Sequence, residues 1–296
     1  MASEVLSTIL ELVRSTPLLD GNDIPAMRAT MVTLTAAQPL AEDIAYEPSS
    51  LGGVAAEWTS VRGANTDRTV LYFHGGAYCL GSIATHRALV GNVARAGSAR
   101  VASIEYRLAP EDPFPAAVDD AVAAYRGLVA GGTSPQRIAL AGDSAGGGLT
   151  AATLLALRDA GDPLPACAVC ISPWLDLACS GDSMRTRAHQ DPMIVPAQLR
   201  ALGEAYLAGA SPRAPLASPV YGDLRGLPPL LIHVGTAETL LDDSTRMAER
   251  ARAAGVDVSL EVWDEMIHVW HAFSPLLPEA DRALAGIGAF LRARMP

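Results

Sequence analysis

The sequence predicts an α/β fold built on one mostly parallel central sheet with helices on both faces. Three observations point there. From residue 69 to the C-terminus, apolar runs of strand length alternate with helical apolar periodicity, the pattern of parallel strands joined by helical crossovers. One such unit, Arg137 to Arg158, runs from an apolar strand through Gly142-Asp143-Ser144-Ala145-Gly146-Gly147 into an Ala-rich helix. That is a GxSxG pattern in the strand, turn and helix context that gives it chemical meaning. Finally, 296 residues, 50% of them hydrophobic, suffice for one large core, and α/β domains of this size commonly stay undivided.

In chain order, residues 1 to about 45 show helical periodicity, with Val5, Leu6, Ile9, Leu10, Leu12 and Val13 on a first helix and a second over Ile24 to Leu34. Their apolar stripes need a surface to cover, which makes this segment a packing arm or part of a lid. Gly53 to Arg62 reads as a strand, Gly63 to Asp67 as a turn, and Thr69 to Phe73 as a buried strand. A helix over Thr85 to Ala96, a strand over Val101 to Tyr106 and a helix over Ala116 to Val129 lead to the strand Ile138 to Gly142 and the helix that follows Ser144. After the strand Cys167 to Ser172 the alternation breaks. Residues 178 to 219 hold five prolines and one helical segment, Ala197 to Leu207, too long a stretch for a simple connection. Regularity returns with a strand over Leu230 to Val234, a helix over Leu240 to Ala254, a strand over Val258 to Trp263 and a last helix over Glu279 to Arg294.

The tight turn marks Ser144 as a nucleophile candidate. Such a turn holds its central residue in strained backbone geometry, with glycines where a Cβ would clash, above a helix N-terminus whose free N–H groups face what the serine attacks. Short Gly/Ser motifs also occur in ordinary turns, so the rest of the chain must supply partners. His74-Gly75-Gly76-Ala77-Tyr78, at the end of a strand, supplies backbone N–H groups for a developing oxyanion. In a fold of this kind the acid and base follow the nucleophile on loops beyond later strands. The loop after Val234 offers Glu238, and the loop after Trp263 offers His268. A neutral imidazole takes and returns the serine proton while the carboxylate fixes its tautomer.

Each role has competitors in the sequence. Asp242 and Asp243 fall where the next helix begins and suit its first turn. His271, three residues past His268, could imitate a metal pair but has no clear third ligand, and is assigned to packing or to lining the site. His74 reads as a loop brace, His233 as a structural residue inside a strand, and His86 and His189 have no evident partner.

A formal charge of −10, from 22 Lys and Arg against 32 Asp and Glu, repels nucleic acid. No apolar stretch reaches the roughly 18 to 20 residues of a membrane span. Met1 to Arg14 carries Glu4 and Glu11 and lacks a leader pattern, which points to the cytoplasm. Four cysteines are too few for a disulfide framework; Cys167 and Cys170 have CxxC spacing but no second pair to complete a zinc site. No cofactor and no metal are expected.

Taken together, His74-Gly75-Gly76, Tyr106 to Glu111 (YRLAPE), Phe114-Pro115-Ala116-Ala117, Gly142 to Gly147, Ser172-Pro173-Trp174 and His268 resemble the bacterial hormone-sensitive-lipase-like esterases of the α/β-hydrolase fold. The resemblance runs from about Val70 to the C-terminus. It implies a carboxylic ester hydrolase preferring short acyl chains, with a helical cap formed here by residues 1 to about 45 and about 180 to 215, and oxyanion donors at Gly75, Gly76 and Ala77 of the HGG loop and at Ala145. Two departures stand out: Ala77 replaces the common third glycine, and Glu238 stands where the family often has aspartate. Hydrolysis of lactones or amides by the same residues, or ligand binding on a hydrolase scaffold that has lost catalysis, remain as other readings. A homodimer stays open.

Overall fold

The computed structural model describes residues 4–18, 21, 23–36, 38–64 and 67–295. Parts of the expected arm and of the turn at 63–67, Asn65 and Thr66 among them, lie outside the described residues. Two helices open the chain, α1 (Glu4–Ser15) and α2 (Ile24–Ala36). An eight-stranded sheet follows: β1 (Ile44–Leu51), β2 (Val54–Val61), β3 (Thr69–Phe73), β4 (Arg100–Ile104), β5 (Ile138–Asp143), β6 (Cys167–Ile171), β7 (Leu230–Gly235) and β8 (Val258–Trp263). Its order is β1-β2-β4-β3-β5-β6-β7-β8. β1 and β2 are antiparallel to each other, β2 is antiparallel to β4, and all remaining pairs are parallel.

Strand β1 is absent from the sequence expectation. Pro48 and two serines disguise it, and both are tolerated because β1 is an edge strand that needs a partner on one side only. It joins β2 through Gly52 and Gly53, both at positive φ (58° and 88°), which is the two-residue hairpin geometry whose twist matches the strands.

Between the strands run α3 (Ile83–Gly97), α4 (Ala116–Ala130), α5 (Ala145–Ala160), α6 (Ser183–Thr186), α7 (Pro196–Leu207), α8 (Leu241–Ala253) and α9 (Pro278–Arg294). The central strands are apolar on both faces because both are covered. Val70 and Tyr72 of β3 join Leu89, Val93, Leu284 and Ile287 on the face of α3 and α9. Leu71 and Phe73, one residue out of phase, join Leu149, Tyr125 and Met247 on the face of α4, α5 and α8. The same alternation separates Cys167 from Cys170: one belongs to the first layer and the other to the second, so their thiols cannot share an ion. All four cysteines are buried thiols.

The apolar stripe of α1, Leu6 and Ile9, packs against Met266, Ile267, Trp270 and Leu277, beside the loop that carries His268. The guanidinium of Arg28 on α2 donates to the carbonyls of Cys79 and Ala109 and holds Glu111 with both nitrogens. The 178–219 insertion contains α6 and α7. The Tyr206 ring of α7 stacks on Tyr78 with centroids 4.0 Å apart, and its carbonyl accepts from the Phe114 N–H at 2.8 Å. Among the described residues, no helix is long and apolar enough to cross a membrane.

Candidate active site

Ser144 occupies the turn from β5 into α5 with φ 53° and ψ −121°, a conformation that a residue with a Cβ adopts only under constraint. The constraint comes from both sides. Its N–H donates to Ile171 O at 2.8 Å, and its carbonyl accepts from Trp174 N at 2.9 Å. A Cβ at Gly142 would lie 2.3 Å from Gly146 O, and one at Gly146 would lie 2.0 Å from Phe73 O, so the first turn of α5 approaches β3 only because glycine stands at both positions.

The hydroxyl of Ser144 reaches His268 Nε2 at 2.9 Å, and His268 Nδ1 reaches Glu238 Oε2 at 3.0 Å. An ionised carboxylate can only accept, so Nδ1 carries the hydrogen and Nε2 is free to receive a proton from the serine. The three side chains arrive from the ends of β5, β7 and β8, neighbours in the parallel half of the sheet apart from β6. All three residues are buried. Burial opposes the charged form of His268, but the bond and charge of Glu238 prevail and hold its pKa above the ordinary imidazole value, with Asp191 and Asp143 adding to the effect. Burial raises Glu238 as well, against the opposing pull of His268 and the Gly235 N–H.

The residues matched to a family model, 70–272, are those of an alpha/beta hydrolase fold. An acetyl-hydrolase from Streptomyces hygroscopicus is 56% identical over 244 residues, 82% of this chain and 81% of that protein. An esterase from Acinetobacter venetianus is 35% identical over 90% of this chain and 88% of its own. The solved structure of an esterase from the bacterial hormone-sensitive lipase family superposes over 100% of both chains with a TM-score of 0.97 and 49% identity. This chain belongs to that family.

Within this member of the hormone-sensitive lipase family, the longer side chain of Glu238 folds back on its own loop. Its Oε1 accepts from the Gly235 N–H at 2.6 Å and the Ser172 hydroxyl at 2.8 Å, leaving Oε2 to the imidazole. The rival carboxylates are engaged elsewhere. Asp242 Oδ2 accepts from Ser183 N at 2.9 Å, and Asp243 Oδ2 from the N–H groups of Leu175 and Asp176.

The expected oxyanion donors differ in how they are engaged. The Gly75 N–H is already engaged by Asp143 Oδ1 and His86 Nε2, each at 3.2 Å. The N–H groups of Gly76, Ala77 and Ala145 have no such partner among the described residues. Ala77 and Tyr78 take positive φ (52° and 61°), so the strand end turns sharply here.

Three polar residues around the site have partners that the sequence does not indicate. Asp143, the variable position of GxSxG, accepts from Tyr72 at 2.7 Å and lies 3.4 Å from His86, which gives that histidine the partner it lacked. Although burial disfavours its charge, His86 and the Tyr72 hydroxyl keep the Asp143 carboxyl below its ordinary pKa. Asp191 binds the backbone of Met193, Ile194 and Thr239, tying the insertion to the residue after Glu238. Ser172, in the Ser172-Pro173-Trp174 stretch, donates to the carboxylate of Glu238. Each acts across a separation that no local pattern reports.

The other histidines are bystanders. His74 is held neutral by burial, its pKa down to about 3, and it stacks on Tyr106. His271 lies behind the site with Nε2 3.0 Å from His233 Nδ1, and burial with that neighbour pushes its pKa far down. His189 is exposed. No group of three or more His, Cys, Asp or Glu able to hold a metal occurs among the described residues. A cavity of about 610 Å³ between α3, α9 and residues 39–46 includes none of Ser144, Glu238 and His268.

Proposed function

We propose that this protein is a serine carboxylesterase that hydrolyses short-chain carboxylic esters through an acyl-enzyme. The continuous line of Ser144, His268 and Glu238 carries the reading. Ser144 Oγ attacks the ester carbonyl carbon as His268 Nε2 takes its proton, and Glu238 stabilises the imidazolium. The carbonyl oxygen, now negative, is received by the N–H groups of Gly76, Ala77 and Ala145, at the N-terminus of α5 where the helix dipole adds to them. Collapse expels the alkoxide, which leaves as the alcohol with the proton from His268. Water repeats the sequence on the acyl-enzyme, its proton passing through His268 back to Ser144 Oγ, and the carboxylic acid departs.

The relative named as an acetyl-hydrolase supports a short acyl group. In a p-nitrophenyl ester series from acetate to palmitate, turnover should peak at acetate to butyrate, with phosphonate labelling on Ser144. A peak at palmitate, or a label elsewhere, refutes the reading.

The arm of α1 and α2 and the insertion with α6 and α7 act as a cap, which the contacts of α1 beside His268 and of Tyr206 on Tyr78 support. Four unpaired buried thiols fit a reducing, cytoplasmic setting. Two copies would pair along the open edge of β8, which has no proline and leaves Val262 exposed. A monomer mass by light scattering at micromolar concentration refutes the dimer.

A further inference from the structure

The end of β6 holds a serine that the reaction above does not use. Ser172 is wholly buried and sits at φ 45°, a left-handed conformation with no glycine to ease it. Its backbone is fixed there by an N–H bond to His233 O at 2.8 Å, one step beyond the β6–β7 ladder. In that position its hydroxyl proton and one of its two lone pairs are both used at the candidate site. The hydroxyl donates to Glu238 Oε1 at 2.8 Å and accepts from the Val269 N–H at 3.1 Å. Val269 follows His268 directly and is itself at φ 49°, a conformation unfavourable for a β-branched residue.

From this bridge we infer that Ser172 is a positioning residue for the acid and the base together. One oxygen links the carboxylate to the backbone of the residue after the imidazole, so Glu238 and His268 are held in register from the side opposite their own contact. The arrangement also answers the problem raised by a glutamate here. A glutamate has one more rotatable bond than an aspartate, and the Ser172 and Gly235 donors to Oε1 remove that freedom, presenting Oε2 to Nδ1. Without the hydroxyl, Oε1 keeps only the Gly235 N–H, and the buried Val269 N–H loses its acceptor. Misplacement of the pair by a fraction of an ångström then slows proton transfer without altering how the ester is bound.

The inference rests on the triad reading, and the test separates the two. Ser172→Gly removes the hydroxyl while fitting φ 45° better than serine, and Ser172→Ala removes it without that relief. Each should lower kcat on p-nitrophenyl acetate by roughly 10- to 100-fold with KM within about twofold. In a Glu238→Gln background the same substitutions should cost less than about threefold, because the residue through which Ser172 acts is already impaired. Wild-type kcat in Ser172→Gly, a loss carried by KM, or an equal loss in both backgrounds overturns the positioning role. If Ser144→Ala retains turnover, the triad reading fails first; if Ser144→Ala is inactive and Ser172→Gly is normal, only the positioning role fails.

Discussion

Glu238 and Asp243 are two buried carboxylates five residues apart, carried past the end of the same strand, and the fold uses them in opposite ways. Glu238 stands before α8, where its chain can turn back into the site, and both of its oxygens are partnered: one by an imidazole, the other by a hydroxyl and an N–H. Asp243 lies in the first turn of α8 and points at a neighbouring loop. One oxygen accepts from two backbone N–H groups while the other, Oδ1, has no hydrogen-bond partner among the described residues. Burial, with Asp176 close by, lifts its pKa to about 8. Equal burial therefore does not make equal chemistry. A carboxylate facing a titratable base keeps its charge in use, whereas one facing amides and another carboxylate serves as a brace and tends to hold a proton.

This contrast can be broken in steps of decreasing size. Ser144→Ala sets the floor: with the nucleophile gone, kcat should fall by roughly 10⁵- to 10⁶-fold while the circular dichroism spectrum is retained. Glu238→Gln keeps size but not charge, and should cost on the order of 10³- to 10⁴-fold in kcat. If Asp243→Asn shows that loss and Glu238→Gln does not, the two carboxylates have been assigned the wrong way round.

The pH profile sharpens the same point. His268 is raised above 6.5, so in the wild type the acid limb of kcat/KM should fall at a pH above that value. Glu238→Gln removes the main raising influence and leaves burial, so its limb should move to lower pH; Asp243→Asn should leave the limb in place.

The smallest effect on activity is expected for Asp243→Asn, within about threefold, with a signature in stability instead. Its folded pKa, about 8, lies above the ordinary 3.8. The stability it contributes is therefore complete below about pH 4 and declines as pH rises toward 8. Melting temperatures between pH 5 and 9 should fall less with pH in the asparagine variant than in the wild type. Parallel curves would show that Asp243 is ionised in the folded protein.

The sequence carried the parallel sheet, the serine turn and the two loops that follow it, because those depend on local periodicity and on order along the chain. Ser144, Glu238 and His268 come together as that order requires. Strand β1 escaped notice because an edge strand tolerates the proline and serines that ordinarily argue against one. The engagement of the Gly75 N–H is hidden from the sequence for a different reason. Whether an N–H faces an oxyanion or Asp143 depends on φ and on a carboxylate 68 residues away in the chain. Ser172, Asp191 and the His86–Asp143 contact are equally remote, and no spacing rule joins them. Local geometry is written in neighbouring residues; hydrogen-bond partners across strands are not.

The stack of Tyr206 on Tyr78 couples the insertion to the glycine loop at the end of β3. Tyr78 follows Ala77 directly, so a ring on the insertion and an amide beside the reacting carbonyl are mechanically in series. A displacement of α7 that carries the Tyr206 ring with it therefore also pulls on the backbone beside Ala77, one of the proposed oxyanion donors. A substitution that loosens α7 is therefore expected to change turnover as well as access to the site.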